Sequence, residues 1–184
     1  SMNPTRQMPL FIITGASCVG KSSMCEVLFQ NEKEYIVLES DILWDDIYNT
    51  PDDGYRRYRE MWMQLCKNIS QIGMPVVLCG CAIPEQFERC DGRKDFTSIH
   101  YLAVVCDNAV LEERMARRGV TDANWIGSSV EFNVWLKEHA QDTNPPIHLL
   151  DSSKLSPKEA AEATDKWNCE RLERRPAWEA PSAR

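Results

Sequence analysis

Gly15-Ala16-Ser17-Cys18-Val19-Gly20-Lys21-Ser22 reads G-x-x-x-x-G-K-S and follows the apolar run Leu10-Phe11-Ile12-Ile13. A short apolar strand, a glycine loop and then a helical pattern is the setting of a phosphate-binding loop. Glycines let the backbone turn tightly enough for several N–H groups to face one anion. A helix beginning near Gly20 adds unpaired N–H groups and the positive end of its dipole. Lys21 is placed to reach the terminal phosphates, and the Ser22 hydroxyl to ligate Mg²⁺. Gly15, Ala16, Ser17, Cys18, Val19, Gly20, Lys21, Ser22 and Ser23 are the nucleotide-binding candidates. Lys21 is expected to stand exposed in the empty site, so that its loss spares the fold.

Around that stretch lie 184 residues with a formal net charge of −7. The length suits one domain with a full core. The acidic balance argues against a nucleic-acid partner, which favours a basic face. No apolar run approaches the roughly 20 residues that span a bilayer. Eight cysteines show no regular spacing, and a reduced, cytoplasmic protein is expected. Cys79 and Cys81 read as core thiols. Ser1 before Met2 reads as an expression remnant, so residues 1–8 are left outside the domain. A single domain is expected over 9–173, and a flexible Pro-containing tail over 174–184.

Downstream, Tyr35-Ile36-Val37-Leu38 reads as a second strand and residues 41–49 as a short helix. Asp52-Asp53 can cap a helix reaching Ile72, with an apolar stripe at Tyr55, Tyr58, Trp62, Leu65, Ile69 and Ile72. Val76-Val77-Leu78-Cys79 is apolar on both faces, as a central parallel strand is. Pro84 opens a short helix. Ile99 to Val105 is a fourth strand, and the helix after it runs from Ala109 to Arg118. A polar loop over 120–128, a helix near 129–140 and the strand Ile147-His148-Leu149-Leu150 follow. Ser156-Pro157-Lys158-Glu159 is a capping box that starts the last helix. Strands alternating with helices imply a parallel α/β sheet with right-handed crossovers. Ligands bind at the carboxyl ends of such strands. That edge gathers 15–22, 39–41, 80–82 and 106–108.

Glu39 and Asp41 end the second strand. One carboxylate can help organise a metal shell, Glu39 through water. The other can take a proton from an acceptor hydroxyl, and Asp41 is the preferred base. The third strand ends Leu78-Cys79-Gly80, without an acid. Arg114 and Arg118 share a helix face, with Arg117 beside them, and can neutralise charge on a transferring phosphoryl group. Residues 114–128 form a candidate lid with Trp125 as its flap. Trp44, Tyr48, Tyr55, Arg57, Gln86 and Phe87 could line an acceptor pocket. Its aromatic wall suits a nucleoside base better than a bare polyol.

Over roughly residues 9–172 the chain resembles the small P-loop kinases, a group that includes shikimate kinase, gluconate kinase, chloramphenicol phosphotransferase and nucleoside and nucleotide kinases. The features that carry the resemblance are the loop 15–22, the acidic segment 39–41, the L-x-x-R-x-x-x-R helix at 111–118 and Leu150-Asp151-Ser152-Ser153. The resemblance implies a three-layer α/β fold with a five-stranded parallel sheet in the order 2-3-1-4-5. It implies ATP and Mg²⁺ as cofactors, and Lys21, Asp41, Arg114 and Arg118 as the groups that act on the phosphoryl group or its acceptor. It also implies a loop at 151–155 along the adenine edge. The expected partner is a small molecule carrying a hydroxyl, with no membrane or nucleic acid, and the protein is a monomer or homodimer. A nucleoside is the first expectation for the acceptor, then a sugar acid or antibiotic alcohol. A nucleoside monophosphate follows, held by Arg56, Arg57 and Arg59. A nucleotide-binding switch without transfer is the rival. Two departures stand out: Cys18 occupies a position where many relatives have glycine, and Gly80-Cys81-Ala82 lacks the Gly-Gly pair of shikimate kinase.

Overall fold

The computed structural model describes residues 7–31, 34–40 and 51–172. The strands are β1 (Met8–Thr14), β2 (Ile36–Glu39), β3 (Val76–Cys79), β4 (Phe96–Val105) and β5 (Ile147–Asp151). The helices are α1 (Lys21–Asn31), α2 (Arg56–Ser70), α3 (Pro84–Glu88), α4 (Asn108–Arg117), α5 (Ala123–His139) and α6 (Pro157–Arg171). All strand pairs are parallel, and the sheet order is β2-β3-β1-β4-β5. The expected fold class and strand order are therefore present.

Alternation along the strands divides the core in two. Leu10 and Ile12 of β1 face a cluster with Tyr58, Trp62, Phe87 and Leu136, from α2, α3 and α5. Phe11 and Ile13 face the other way, onto Met24, Leu28, Leu111, Met115 and Trp167, from α1, α4 and α6. Burial on both faces is what makes these strands read as unbroken apolar runs.

Several boundaries differ from the sequence expectation. The two oxygens of Asp53 accept from the backbone N–H groups of Arg56 (3.2 Å) and Arg57 (3.3 Å), so the cap is real, but α2 stops at Ser70. Ile72 thus leaves the helical phase and is 69% exposed, outside the stripe it was assigned to. β4 begins three residues before Ile99 because Phe96 is buried and pairs with Met8. The expected polar loop 120–128 is mostly helix. Asp122 Oδ1 accepts from Asn124 N (2.8 Å) and Trp125 N (3.1 Å) and starts α5 at Ala123. Residues 121–125 look like a loop in sequence because all five are exposed. The capping box at Ser156 and Glu159 forms as read.

Cys79 is buried and joined to Cys25 of α1 in a disulfide, which corrects the expectation that all thiols are free. Cys81 is exposed and belongs to the site described below, so it is not a core thiol. Asp41, Trp44, Tyr48 and the short helix expected over 41–49 lie outside the described residues. No described helix is long and apolar enough to cross a membrane.

Candidate functional site: a phosphate loop beside an aromatic slot

The loop 15–20 joins the end of β1 to α1. Three of its carbonyls are engaged by side chains. Lys21 Nζ donates to Gly15 O at 2.9 Å. Ser129 Oγ of α5 donates to Ser17 O at 2.8 Å. Arg114 Nη1 of α4 donates to Val19 O at 2.7 Å, and Ser152 Oγ donates to the same carbonyl at 3.0 Å. Val19 N closes the turn on Ala16 O at 3.4 Å. With its oxygens drawn outward, the loop presents N–H groups to an anion instead of carbonyl dipoles that would repel it. Gly15 is required at its position: φ is +154°, and a Cβ there would sit 2.7 Å from Val104 O.

Cys18 adopts φ +66°, a left-handed conformation that costs a non-glycine residue about 1–2 kcal/mol. This is the physical reason for the glycine common there. Tyr55 is the other described non-glycine residue with positive φ, at 62°. Each lines one of the two cavities described here, where backbone strain tends to collect.

The larger cavity, about 830 Å³, lies over the loop. Ala16, Ser17, Cys18, Gly20, Lys21, Ser22 and Ser23 line it, with Leu155, Ser156 and Pro157 along one side and Trp125 at another. Lys21, Arg114, Arg117 and Arg118 also line it, and no carboxylate does among the described residues. Such a cation-walled cleft raises the local concentration of a polyanion. Val19 contributes through its carbonyl and is itself wholly buried in the core.

The individual roles differ from the sequence reading. Lys21 is only 7% exposed, held by Gly15 O and lying 3.6 Å from Cys81 Sγ, so it is part of the fold and not a free-standing charge. Arg114 is a brace. Besides Val19 O it donates to Ser152 Oγ (3.1 Å) and Ser152 O (3.0 Å), tying the loop to the segment after β5. Arg118 is exposed and reaches Cys18 Sγ at 3.7 Å, while Arg117 pairs with Glu113. Trp125 sits in the first turn of α5, 48% exposed, so the expected flap is a helical residue.

The smaller cavity, about 150 Å³, opens between α2, α3 and the end of β3. Tyr55, Tyr58, Trp62 and Phe87 wall it, and Ser40, Arg59, Gly80, Cys81 and Gln86 complete it. Gln86 and Phe87 stand where the sequence placed them. Arg57 does not: it lies on the exposed side of α2 beside Asp53 at 4.0 Å. Arg56 pairs with Asp91 at 3.1 Å, so the three arginines do not gather around a second phosphate. Arg59 alone faces this slot.

At the slot's inner end, Tyr58 donates its hydroxyl hydrogen to Ser40 O. Ser40 Oγ lies where a Cβ on Gly80 would fall, 2.0 Å away. That contact explains why a glycine follows β3 and leaves no room there for an acidic side chain. Glu39, at the end of β2, pairs in register with Cys79 and stands one strand further from the loop.

Sequence reasoning missed Ser129, read Cys81 as core, placed Arg59 with Arg56 and Arg57 around a second phosphate, and took Ser152 as part of an adenine-edge loop, not as a partner of Val19 O. The one signal for Ser129 was a Ser-Ser pair in an apolar helix.

No protein-family model matches the sequence, and no curated protein does. Solved structures do. An unliganded sugar kinase of Janibacter superposes with a TM-score of 0.65 at 15% identity, over 89% of this chain and 95% of that one. The tunicamycin resistance protein of Deinococcus radiodurans gives 0.65 at 17% identity, over 88% and 96%. A gluconokinase of Sinorhizobium meliloti gives 0.54 at 17% identity, over 90% and 98%. At these identities the likeness is one of fold, the one this chain shares with that sugar kinase, that resistance protein and that gluconokinase.

Proposed function

We propose that the protein is a cytoplasmic small-molecule kinase that transfers the γ-phosphoryl group of ATP to a hydroxyl, most naturally that of a nucleoside. The observation that carries this reading is the position of Cys81. It lines both the cation-walled cavity and the aromatic slot, so the two meet at the residue that touches Lys21. A phosphoryl donor in one and an acceptor in the other would be brought together at that seam, which is the positioning on which such catalysis depends. The likeness to sugar, gluconate and antibiotic-resistance proteins supports the class.

In this reading the backbone N–H groups of 15–20 hold the β-phosphate, Lys21 neutralises charge on the β- and γ-oxygens, and Arg118 meets the charge that spreads as the bond breaks. Arg114 holds the loop in shape. Leu155, Ser156 and Pro157 flank the adenine. Ser22 offers an exposed hydroxyl in the cavity, a hard oxygen donor that fits Mg²⁺ when phosphate oxygens and water complete the shell. Glu39 would act through that water. Mg²⁺, when bound, would screen the phosphate charge. Asp41 follows Ser40, which lines the slot, and we assign it the acceptor's proton.

The test is ADP formation across a panel of nucleosides, sugar acids, monophosphates and antibiotic alcohols, with the Asp41→Asn variant alongside. Acceptor-stimulated ADP release that falls at least about a hundredfold in the variant is the expected result. A flat response to every acceptor, with tight ATP binding, would identify a nucleotide switch instead.

A further inference from the structure

Ser129 of α5 is only 4% exposed and is not among the residues that line the cation-walled cavity. Its hydroxyl has one hydrogen to give. A buried helical serine commonly donates back to its own helix, as Ser70 does in α2, to Cys66 O at 2.7 Å. Ser129 instead reaches across 112 residues of sequence to Ser17 O, at 2.8 Å. The position it reaches from is fixed. One turn further along α5, Asn133 is wholly buried, and its side chain accepts from Cys106 N at 3.2 Å and donates to Cys106 O at 2.8 Å. The helix is thereby tied to the residue that follows β4, and Ser129 meets the loop from a set place.

Ser17 O shares a trans peptide plane with Cys18 N–H. In a trans peptide these two groups point in opposite directions. Holding the oxygen on α5 therefore turns the N–H away from α5. Rotating that plane by half a turn changes only ψ of Ser17 and φ of Cys18. The rotation would carry Cys18 from φ +66° into the ordinary negative range. A cysteine left to itself favours it by a factor of roughly ten, which is the left-handed penalty expressed as a population. The plane nonetheless stands the unfavoured way, with its oxygen held by Ser129. Successive N–H groups around a left-handed residue form a concavity that binds anions. The rotated plane would exchange one of them for a carbonyl oxygen, which repels phosphate.

Resting on the reading of loop 15–20 as the phosphate site, we propose that Ser129 is a positioning residue for the bound phosphates. It locks the 17–18 peptide plane with the carbonyl withheld and the N–H offered to the anion, and so keeps Cys18 in the left-handed conformation. The bond from α5 does for cysteine what the missing Cβ does for a glycine. A glycine at position 18 therefore makes Ser129 largely dispensable for anion binding.

The experiment is a double-mutant cycle on the parent chain, Ser129→Ala, Cys18→Gly and the double variant. Calorimetry reads the binding of inorganic pyrophosphate and of Mg-ATP. Ser129→Ala should weaken both ligands by about tenfold, the population factor of the left-handed conformation. In the Cys18→Gly background the same change should cost less than about threefold, because glycine keeps the plane's orientation unaided. The cycle is repeated with Ser129→Cys, whose S–H donates weakly, so that it stays informative if the alanine chain fails to fold. The same dependence on residue 18 is expected there, at smaller amplitude. Losses of equal size in both backgrounds would make Ser129 a general brace and overturn the proposal. Unchanged binding in both Ser129 variants, or no anion binding by the parent, would overturn it too. ADP formation is measured separately with the acceptor panel. A coupled cycle in a protein that never releases ADP would count against the kinase and leave the role of Ser129 standing. Equal losses in a protein that turns over would do the reverse.

Discussion

Lys21 Nζ lies 3.6 Å from Cys81 Sγ, at the seam where the cation-walled cavity meets the aromatic slot. The thiol itself donates to Gly15 O at 3.3 Å, the carbonyl that also receives the lysine. Lysine, loop carbonyl and thiol therefore form one small network, and changing any member disturbs the other two.

Lys21→Met should lower turnover by a factor on the order of a hundred to a thousand, the usual scale for losing a donor to transition-state charge. Because Lys21 is only 7% exposed, the variant should also melt a few degrees lower. Steady-state kinetics and a thermal scan check both. Parent-like turnover would remove Lys21 from the chemistry.

Arg114 and Arg118 should separate cleanly. Arg114→Gln breaks three hydrogen bonds from a charged donor, two of them to backbone oxygens, and should cost about 2–3 kcal/mol in chemical denaturation. Arg118→Gln removes an exposed side chain whose only described contact is Cys18 Sγ, and should leave stability within about 0.5 kcal/mol. Its turnover should fall all the same, by roughly tenfold or more. Matching stabilities for the two variants would contradict the brace.

Cys18 gives a test of backbone strain. Cys18→Gly relieves the left-handed cost but loosens the unfolded chain, so the net change should stay within about 1 kcal/mol of the parent. Cys18→Val puts a β-branched residue at φ +66° and should be clearly less stable than either. Cys18 and Cys81 both line the cation-walled cavity, so if it takes nucleotide, alkylating either should block loading and Mg-ATP should slow the labelling of both. Peptide mapping with and without nucleotide reads this directly. Equal labelling in the two states would argue against phosphates occupying the cavity.

Acid should destabilise the sheet's other face. His100 stacks on Phe11 at 5.1 Å and meets Trp167 at 6.3 Å. Burial, and then the nearby Arg171 guanidinium, hold its pKa below the usual imidazole value. A folded value below the unfolded one means the unfolded chain binds the extra proton more readily. Stability is therefore full above about pH 6.5 and is lost across a window opening there and closing at the lowered folded value. His148, shifted the same way, adds to the effect. Melting temperature should fall between about pH 7.5 and about pH 5.5, and His100→Phe should flatten that slope. An unchanged slope would place the acid sensitivity elsewhere.

The sheet order, the loop 15–22 and the capping box at Ser156 were legible because each rests on local chemistry: an apolar run, glycine spacing, a cap and its partner three residues on. The aromatic slot was legible only in part. Gln86 and Phe87 were found through their helix after β3. Arg59 was grouped with Arg56 and Arg57 because all three look alike on the polar side of the α2 pattern, and only the structure separates it from them. Trp62 was counted as core, which it is. Ser129 and Ser152 reach the loop from 112 and 133 residues away, and no local pattern records contacts of that range. Cys81 was misread because the apolar strand before it does not show where the chain turns outward.

The outward anchoring of the loop carbonyls has a consequence for kinetics. A phosphate loop sewn to α4, α5 and the end of β5 before any ligand arrives has little disorder left to lose. Its N–H groups that face the open cavity should exchange quickly with solvent while the cavity is empty, and slow sharply once a bound anion accepts from them. Nucleotide should then be captured in a single encounter step whose rate follows its concentration linearly and falls with added salt, with no slower reshaping of the loop behind it.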